Sequence, residues 1–389
     1  MTMLKYSLGI DVSKKEFHAC LSVIDHTQHV KVKASRKFVN QQQGFKDLQS
    51  WVNKHKKESG IPFCITLEAT GVYFEACALF LFKAGYEVSV VLPNKAKQYF
   101  KALGLKTKND KIDASGLARM GAEQCLEKWK PLDDFFYNLR SLTRHHQSLQ
   151  ELKTNINNQL HADLHSIYGN KAVIKQLKKL IETLDRQIEE TGEAINKHLY
   201  SKAEVAQKVN QLTSIKGVGI ITIATILAET NGFSLFKNIP QLVSYAGYDV
   251  VENQSGKRTG KTRISKKGNS RIRRSLHLPT FNLIRYDVGN FKPFFERILA
   301  KHNQKMKAYV AVQRKLLILI YTLWKKNEEY KPDQLARTKI FRNEETEPSF
   351  ALPQEGQNKQ PRKTRAALDR HSSTGQRLPS FALAKLSEK

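Results

Sequence analysis

The chain lacks long hydrophobic runs: nothing in its 389 residues approaches the roughly 18 consecutive apolar positions of a membrane-spanning helix. Its N-terminus, MTMLKYSLGIDV, lacks the basic segment, apolar stretch and small-residue cleavage site of a secretory signal. A cytoplasmic protein with no membrane partner is therefore expected. Cysteine is scarce. Cys20, Cys64, Cys77 and Cys125 form no C-x-x-C pair, which argues against zinc and for buried free thiols in a reducing compartment. Acidic residues are outnumbered, with 36 Asp and Glu against 65 Lys and Arg, a formal charge of +29. A small domain needs only about 2–8 charges for solubility, so this excess calls for a polyanion such as nucleic acid. Apolar residues still make up 40% of the chain, enough for a core, which excludes global disorder. At about 150 residues per domain, the length suggests two to three domains.

What is present first alternates between strand and helix. Residues 6–12 and 17–24 are apolar runs rich in β-formers, and 30–38 continues the series. Asn40 stands where it would cap a helix whose apolar positions are Phe45, Leu48, Trp51 and Val52. Residues 62–68 read as a buried strand, 72–84 as a helix ended by Gly85, and 87–92 as a strand ended by Pro93. Residues 94–103 and 112–121 read as helices. Three meandering strands followed by strand–helix units predict a mixed sheet with helices on its faces.

From Leu139 the period lengthens. Leu142, Leu149 and Ile156 recur at heptad spacing. Gly169 and Asn170 interrupt, and Ile174, Leu177, Ile181, Leu184, Ile188 and Ile195 resume it. Periodicity alone fits an antiparallel hairpin and a dimeric coiled coil equally well. The segment LTSIKGVGIITIATILAE then reads as helix, Gly-x-Gly turn, helix, before a basic stretch and apolar helices near 276–284 and 310–324. Beyond Tyr330 the chain is polar with few apolar anchors and reads as disordered.

Four carboxylates stand at informative places. Asp11 ends the first strand in LGIDVSK and Glu68 ends a later one in ITLEATG. Asp110 and Asp113, in KNDKIDAS, share one face of a helix start. Residues at neighbouring strand ends of an α/β sheet converge on one crevice. Converging carboxylates repel one another and need cations, and hard oxygen ligands suit Mg²⁺ or Mn²⁺. Two such ions about 3.5–4 Å apart are a common arrangement for phosphodiester chemistry.

The basic stretch QSGKRTGKTRISKKGNSRIRRS holds Lys257, Arg258, Lys261, Arg263, Lys266, Lys267, Arg271, Arg273 and Arg274 and no acid. A merely solvated face would mix signs, whereas cations among Gly and Ser suit phosphate contact. Ser255, Ser265, Ser270 and Ser275 lie in or beside it, and spacing does not choose a nucleophile among them. Lys216, Gly217 and Gly219 form a turn resembling the helix-hairpin-helix motif, whose free backbone N–H groups hold phosphates. His161 and His165 have the spacing of zinc ligands but no third ligand, and His145 and His146 read as surface residues.

In combination these stretches resemble the insertion-sequence-110 family of transposases with a DEDD motif. The likeness covers about residues 5–330 and includes LGIDVSKKEFHACL, ITLEATGVYFEACALF, KTKNDKIDASGLARM, LTSIKGVGIITIATILAE, SYAGYDV and the basic stretch. It implies an RNase H-like (RuvC-like) catalytic domain over 1–130 and coiled-coil assembly helices over 131–205. It further implies a mostly helical C-terminal transposase domain over 206–330, followed by a polar tail over 331–389. The DEDD residues map to Asp11, Glu68, Asp110 and Asp113, with Mg²⁺ as cofactor. The family's serine, in a Ser-Gly pair before the basic segment, maps to Ser255. The resemblance implies a recombinase that joins DNA covalently to serine, with donor and target double-stranded DNA chosen by an element-encoded noncoding bridge RNA. It also implies a homo-oligomer, dimer to tetramer, at work on the bacterial nucleoid. Two other readings remain: a RuvC-like junction resolvase that uses water, and a non-catalytic nucleic-acid-binding protein. Gathering carboxylates beside phosphates argues against the second.

Overall fold

A computed structural model describes residues 3–331 except 57, 59, 105–108, 252–253, 256–257 and 261–262, with backbone only at 254–255 and 258–259. Of the expected tail, all but residue 331 lies outside the described residues. β1 (Met3–Val12), β2 (Glu16–Asp25) and β3 (Val30–Val39) form an antiparallel meander. β4 (Phe63–Glu68) joins parallel to β1 and β5 (Val88–Val91) parallel to β4, giving the order β3-β2-β1-β4-β5. This is the expected mixed sheet.

Alternation along β1 sorts its two faces. Leu8, Ile10 and Val12 join Phe17, Phe38, Phe45, Leu48 and Trp51 in the main core, under α1 (Gln42–His55) and α2 (Glu75–Lys83). Phe17 stacks on Phe38 at 5.4 Å, and Phe38 meets Trp51 edge-on at 5.7 Å. Asn40 is not the cap of α1. Gln41 occupies that position, and the Asn40 amide instead donates to the carbonyls of Ser13 and Tyr73, tying the β1–β2 turn to the loop before α2. Pro93 ends the strand region, as expected, and also opens α3 (Pro93–Ala102), where its missing N–H costs nothing. The other face of β1 carries Ser7, Gly9 and Asp11 and is covered by α4 (Asp110–Glu123). Cys20 and Cys77 are buried, Cys64 is half-buried, and all four thiols are free. Cys125, expected inside, is exposed just beyond the end of α4.

The two heptad runs of the middle region pair with each other within one chain, with most heptad positions half-buried and Leu152, Leu164 and Leu180 exposed. α5 (Asp134–His165) and α6 (Lys171–Tyr200) pack as a hairpin across a short turn. The start of one meets the end of the other: the Phe135 and His198 rings stack at 4.3 Å, and His198 Nε2 lies 2.9 Å from the Phe135 carbonyl. α7 (Ala203–Thr213) and α8 (Ile220–Thr230) flank the glycine turn. α9 (Ile239–Ala246) follows, then the two-residue strands β6 (Val250–Val251), β7 (Gln254–Ser255), β8 (Arg258–Thr259) and β9 (Arg263–Ile264). α10 (Ser270–Ser275), α11 (His277–Arg285), α12 (Phe291–His302) and α13 (Lys305–Lys326) complete the described chain. The basic stretch is therefore not simply a loop. Its C-terminal part is α10, whose first turn is capped by the Asn269 side chain accepting from the Arg271 and Ile272 N–H groups. Among the described residues no helix is long and apolar enough to cross a membrane.

Candidate active site and nucleic-acid interface

Two glycines set the position of the carboxylates. A Cβ on Gly9 would stand 2.1 Å from the Ala114 carbonyl oxygen and 2.1 Å from the Ala118 nitrogen. A Cβ on Gly121 would stand 2.3 Å from Thr66 Oγ1 and 2.5 Å from Ser7 Oγ. At Gly9 backbone meets backbone, at Gly121 the helix backbone meets the strand hydroxyls, and α4 lies with its C-terminal half over Ser7 and Thr66 and its middle over Gly9. Its first turn consequently lies at the ends of β1 and β4. Asp11 shares the Ser7–Gly9 face, and Glu68 shares the Thr66 face. The parallel register pairs Ile10 with Leu67, so Asp11 and Glu68 come next on adjoining strands. Asp110 and Asp113 occupy the first turn of α4, capped by Asn109, whose side chain accepts from the Ile112 N–H at 2.8 Å. The four carboxylates thus share one edge, and the N-terminal dipole of α4 favours negative charge there.

As donors, four hard carboxylates fit a divalent cation. Their side chains do not close around one: among the described residues no three His, Cys, Asp or Glu groups form a metal-holding cluster. The fit is thus one of donor type and shared edge. The edge also holds His18, a residue that no sequence motif singles out. It faces Asp11 directly across the β1–β2 ladder, and its Nδ1 lies 3.6 Å from Asp110 Oδ2. That nitrogen is buried and makes no hydrogen bond among the described residues. Only the antiparallel register reveals it, because the residue opposite Asp11 depends on the turn length. His161 and His165, the pair with zinc-like spacing, stack at 4.1 Å on one face of α5.

Ser255 lies apart from this edge. It pairs with Arg258 in the β7–β8 ladder, which makes no extensive contact with β1, β4 or α4 among the described residues. Lys257 and Lys261 lie outside the described residues, and Arg258 is described by its backbone alone. Arg263, Lys266 and Lys267 are exposed. The glycine turn is formed as expected: Gly217 has φ +93°, and its neighbour Lys216 is exposed, with Nζ 5.4 Å from the Tyr286 ring centroid.

Three arginines expected on phosphates are engaged within the protein. Arg273 donates to the Ala246 and Lys266 carbonyls, Arg271 to Gln147, and Arg274 to Glu151. This divides the basic stretch into two roles. Replacing Lys266 and Lys267 with Ala should flatten the dependence of log K on log salt by roughly 0.9 for each phosphate no longer neutralised, at unchanged thermal stability. Arg273→Ala should instead lower the melting temperature. Salt titrations and melting curves of both variants would distinguish these roles, and an unaltered slope for the lysine pair would place the binding surface elsewhere.

No sequence pattern marks the acid that organises this region. Glu229 is buried at the end of α8 with 1% of its side chain exposed. Arg144 of α5 donates to both its oxygens, at 2.7 and 2.9 Å, and Asn269 donates at 2.7 Å. Burial pushes the carboxyl pKa up, but the hydrogen bonds from Arg144 and Asn269 outweigh this and leave it below the usual value. A depressed folded pKa stabilises above the unfolded value of about 4.3 and loses that contribution as pH falls through the folded pKa. Arg144→Ala leaves the buried acid without its main partner. It should cost stability at the low end of about 3–5 kcal/mol, because Asn269 and, at 3.8 Å, Arg271 remain, and the loss should shrink on acidification. Denaturant melts at neutral and acid pH would test this; equal losses at both would remove Glu229 as the cause. His146, expected at the surface, is buried on α5, with Nε2 4.0 Å from where a Gly192 Cβ would stand.

The IS110 DEDD transposase family model matches residues 8–169, and the model described as transposase IS116/IS110/IS902 family matches 209–296. The pilin gene-inverting protein of Moraxella bovis is 30% identical over 334 residues, covering 84% of this chain and 98% of that protein. The transposase for insertion sequence element IS1111A of Coxiella burnetii is 22% identical over 293 residues, covering 69% of this chain and 79% of that protein. The RuvC structure of Thermus thermophilus aligns at 13% identity with a TM-score of 0.25, over 32% of this chain and 99% of that one.

Proposed function

The chain belongs to the IS110 family of DNA transposases, and on that premise we propose that it cuts and rejoins strands through a serine–DNA link. The observation that carries the reading is the docking of α4 on Gly9 and Gly121, which brings the first turn of that helix to the ends of β1 and β4. Asp11, Glu68, Asp110 and Asp113 would hold Mg²⁺ at that edge, where the ion would neutralise charge on the reacting phosphate. Ser255 supplies the nucleophile. Its Oγ–P bond forms as the P–O bond to the neighbouring sugar breaks, and the serine proton ends on the departing sugar oxygen. The bond energy is kept in the adduct, so a new sugar hydroxyl can rejoin the strand without ATP. Lys216, Gly217, Gly219 and the exposed lysines of the basic stretch hold duplex phosphates, while an element-encoded noncoding RNA selects donor and target.

The enzyme works on the bacterial nucleoid as a dimer or tetramer, with Ser255 of one protomer meeting the carboxylates of its partner. The lack of extensive contact between the β7–β8 ladder and the carboxylate edge of the same chain supports that division. It leaves the α5–α6 hairpin as the element expected to join protomers. The test is recombination of DNA carrying the element's own end, with and without a transcript of its flanking noncoding segment. Recombinant junctions should form only with the transcript. RNA-independent junctions would remove the guide from this reading.

A further inference from the structure

A cavity of about 380 Å³ lies where the root of α5 meets the glycine turn, α8, α10 and α11. It falls in the size range of small-ligand pockets, roughly 300–1,000 Å³. Three helix faces converge there: Thr143, His146, Gln147 and Gln150 from α5, Ile221, Thr222 and Thr225 from α8, and Arg271 to Asn282 from α10 and α11. Each set recurs at three- or four-residue spacing, so each is one helix face turned to the cavity, open to solvent at Gln150, Gly219, Arg274 and Leu278. The faces carry hydroxyls, amides and two guanidiniums, a composition that suits a polar guest.

The lining specifies the guest. Arg271 and Arg274, together with the backbone of the glycine turn, form an anion-binding rim. Arg271 already meets Gln147 and, at 3.8 Å, the Glu229 carboxylate, and Arg274 meets Glu151; these contacts use only part of the five N–H donors that each guanidinium carries. Ile221, Leu278 and Pro279 provide apolar surface for the faces of a flat ring, and Leu278 is 68% exposed at the mouth. Gln150, whose side chain makes no hydrogen bond among the described residues, offers an amide to a ring edge. Anion, flat ring and hydrogen-bonding edge together describe a nucleotide. A stacked duplex cannot place a base in a concavity, so the nucleotide must be unpaired and turned out of its strand.

We propose that this cavity binds one unpaired, unstacked nucleotide of the nucleic acid held by the enzyme. The proposal rests on the nucleic-acid-processing reading above and adds to it a site that senses a bulged or extruded base. The full-length protein would be titrated with two DNA duplexes, identical except that one carries a single bulged 2-aminopurine. The parent should prefer the bulged duplex by tenfold or more, with a change in 2-aminopurine emission on binding. Two variants should abolish both signals. Gly219→Phe fills the mouth, since a Cβ there meets nothing within 4 Å and the extended backbone accepts any residue. Gln150→Ala removes the amide at an exposed helix position and should melt at the parent temperature. Equal affinity of the parent for both duplexes overturns the proposal, as does a preference that survives in both variants. Competition by a free nucleoside monophosphate at the same concentration as the bulged duplex would make the cavity a mononucleotide site instead. Failure to bind either duplex would sink the nucleic-acid reading itself, and the pocket with it.

Discussion

Asp11→Asn is expected to lower strand cleavage on the order of 10³-fold while leaving DNA binding largely intact. The substitution keeps the shape of the side chain, and β1 is an interior strand paired on both edges, so the sheet should not change. What is lost is one negative charge at the shared edge. A metal-assisted phosphoryl site derives several kcal/mol from the ion that such charges hold, and each 1.4 kcal/mol, approximately, is tenfold in rate. Calorimetric Mg²⁺ binding should weaken in parallel, which gives a readout independent of turnover. Gly9→Ala is the informative companion, because its methyl would collide with the α4 backbone at 2.1 Å. That variant should lose cleavage and melt earlier, whereas Asp11→Asn should lose cleavage alone. Full cleavage by Asp11→Asn would overturn the assignment of this edge as the catalytic centre.

These two variants also mark what the sequence could and could not reveal. Asp11 and Glu68 were legible because strands leave a period and acids at their ends interrupt it. The mixed sheet followed from three β-rich runs and two strand–helix units, whereas the order of its strands came only with the fold. Gly9 and Gly121 carry no warning, since a glycine in a strand or helix has many uses and only the fold shows which backbone it admits. His18 required the β1–β2 register. Glu229 looks like any acid near a helix end, because its partners lie on α5 and beside α10, far away in sequence. For the same reason the protein partners of Arg271, Arg273 and Arg274, most of them distant in sequence, do not show in the basic run. Helices α9 and α12 were not anticipated. Each carries a proline in its first turn, Pro240 and Pro293, where helices tolerate a residue that periodicity reads as a break.

Ser255→Ala is expected to abolish recombination and the covalent protein–DNA adduct together, while folding and DNA binding persist. Where a nucleophile has been removed from a comparable covalent enzyme, the loss in kcat is on the order of 10⁶. The structure supplies a rival. Ser265 donates its hydroxyl to Asp249 Oδ1 at 2.6 Å, an arrangement in which a carboxylate sits ready to take the serine proton. Ser275 is less suited, because its hydroxyl is spent on the Ile272 carbonyl at 3.0 Å within the helix. The Ser265–Asp249 bond also has a plain structural use: the Ser265 N–H donates to the Asp249 carbonyl beside the β6–β9 ladder, so the pair closes that ladder. Ser265→Ala should therefore lower stability modestly, by about 1 kcal/mol for a missing hydrogen bond, and keep the adduct. A nicked suicide duplex, denaturing electrophoresis and peptide mapping of the trapped species would separate the two. An adduct on Ser265 would move the nucleophile to the Asp249 pair and leave Ser255 with no part in the chemistry. Cleavage with no adduct in the parent would mean that water attacks the phosphate, and the enzyme would then be a hydrolytic nuclease with no stored bond energy for rejoining strands.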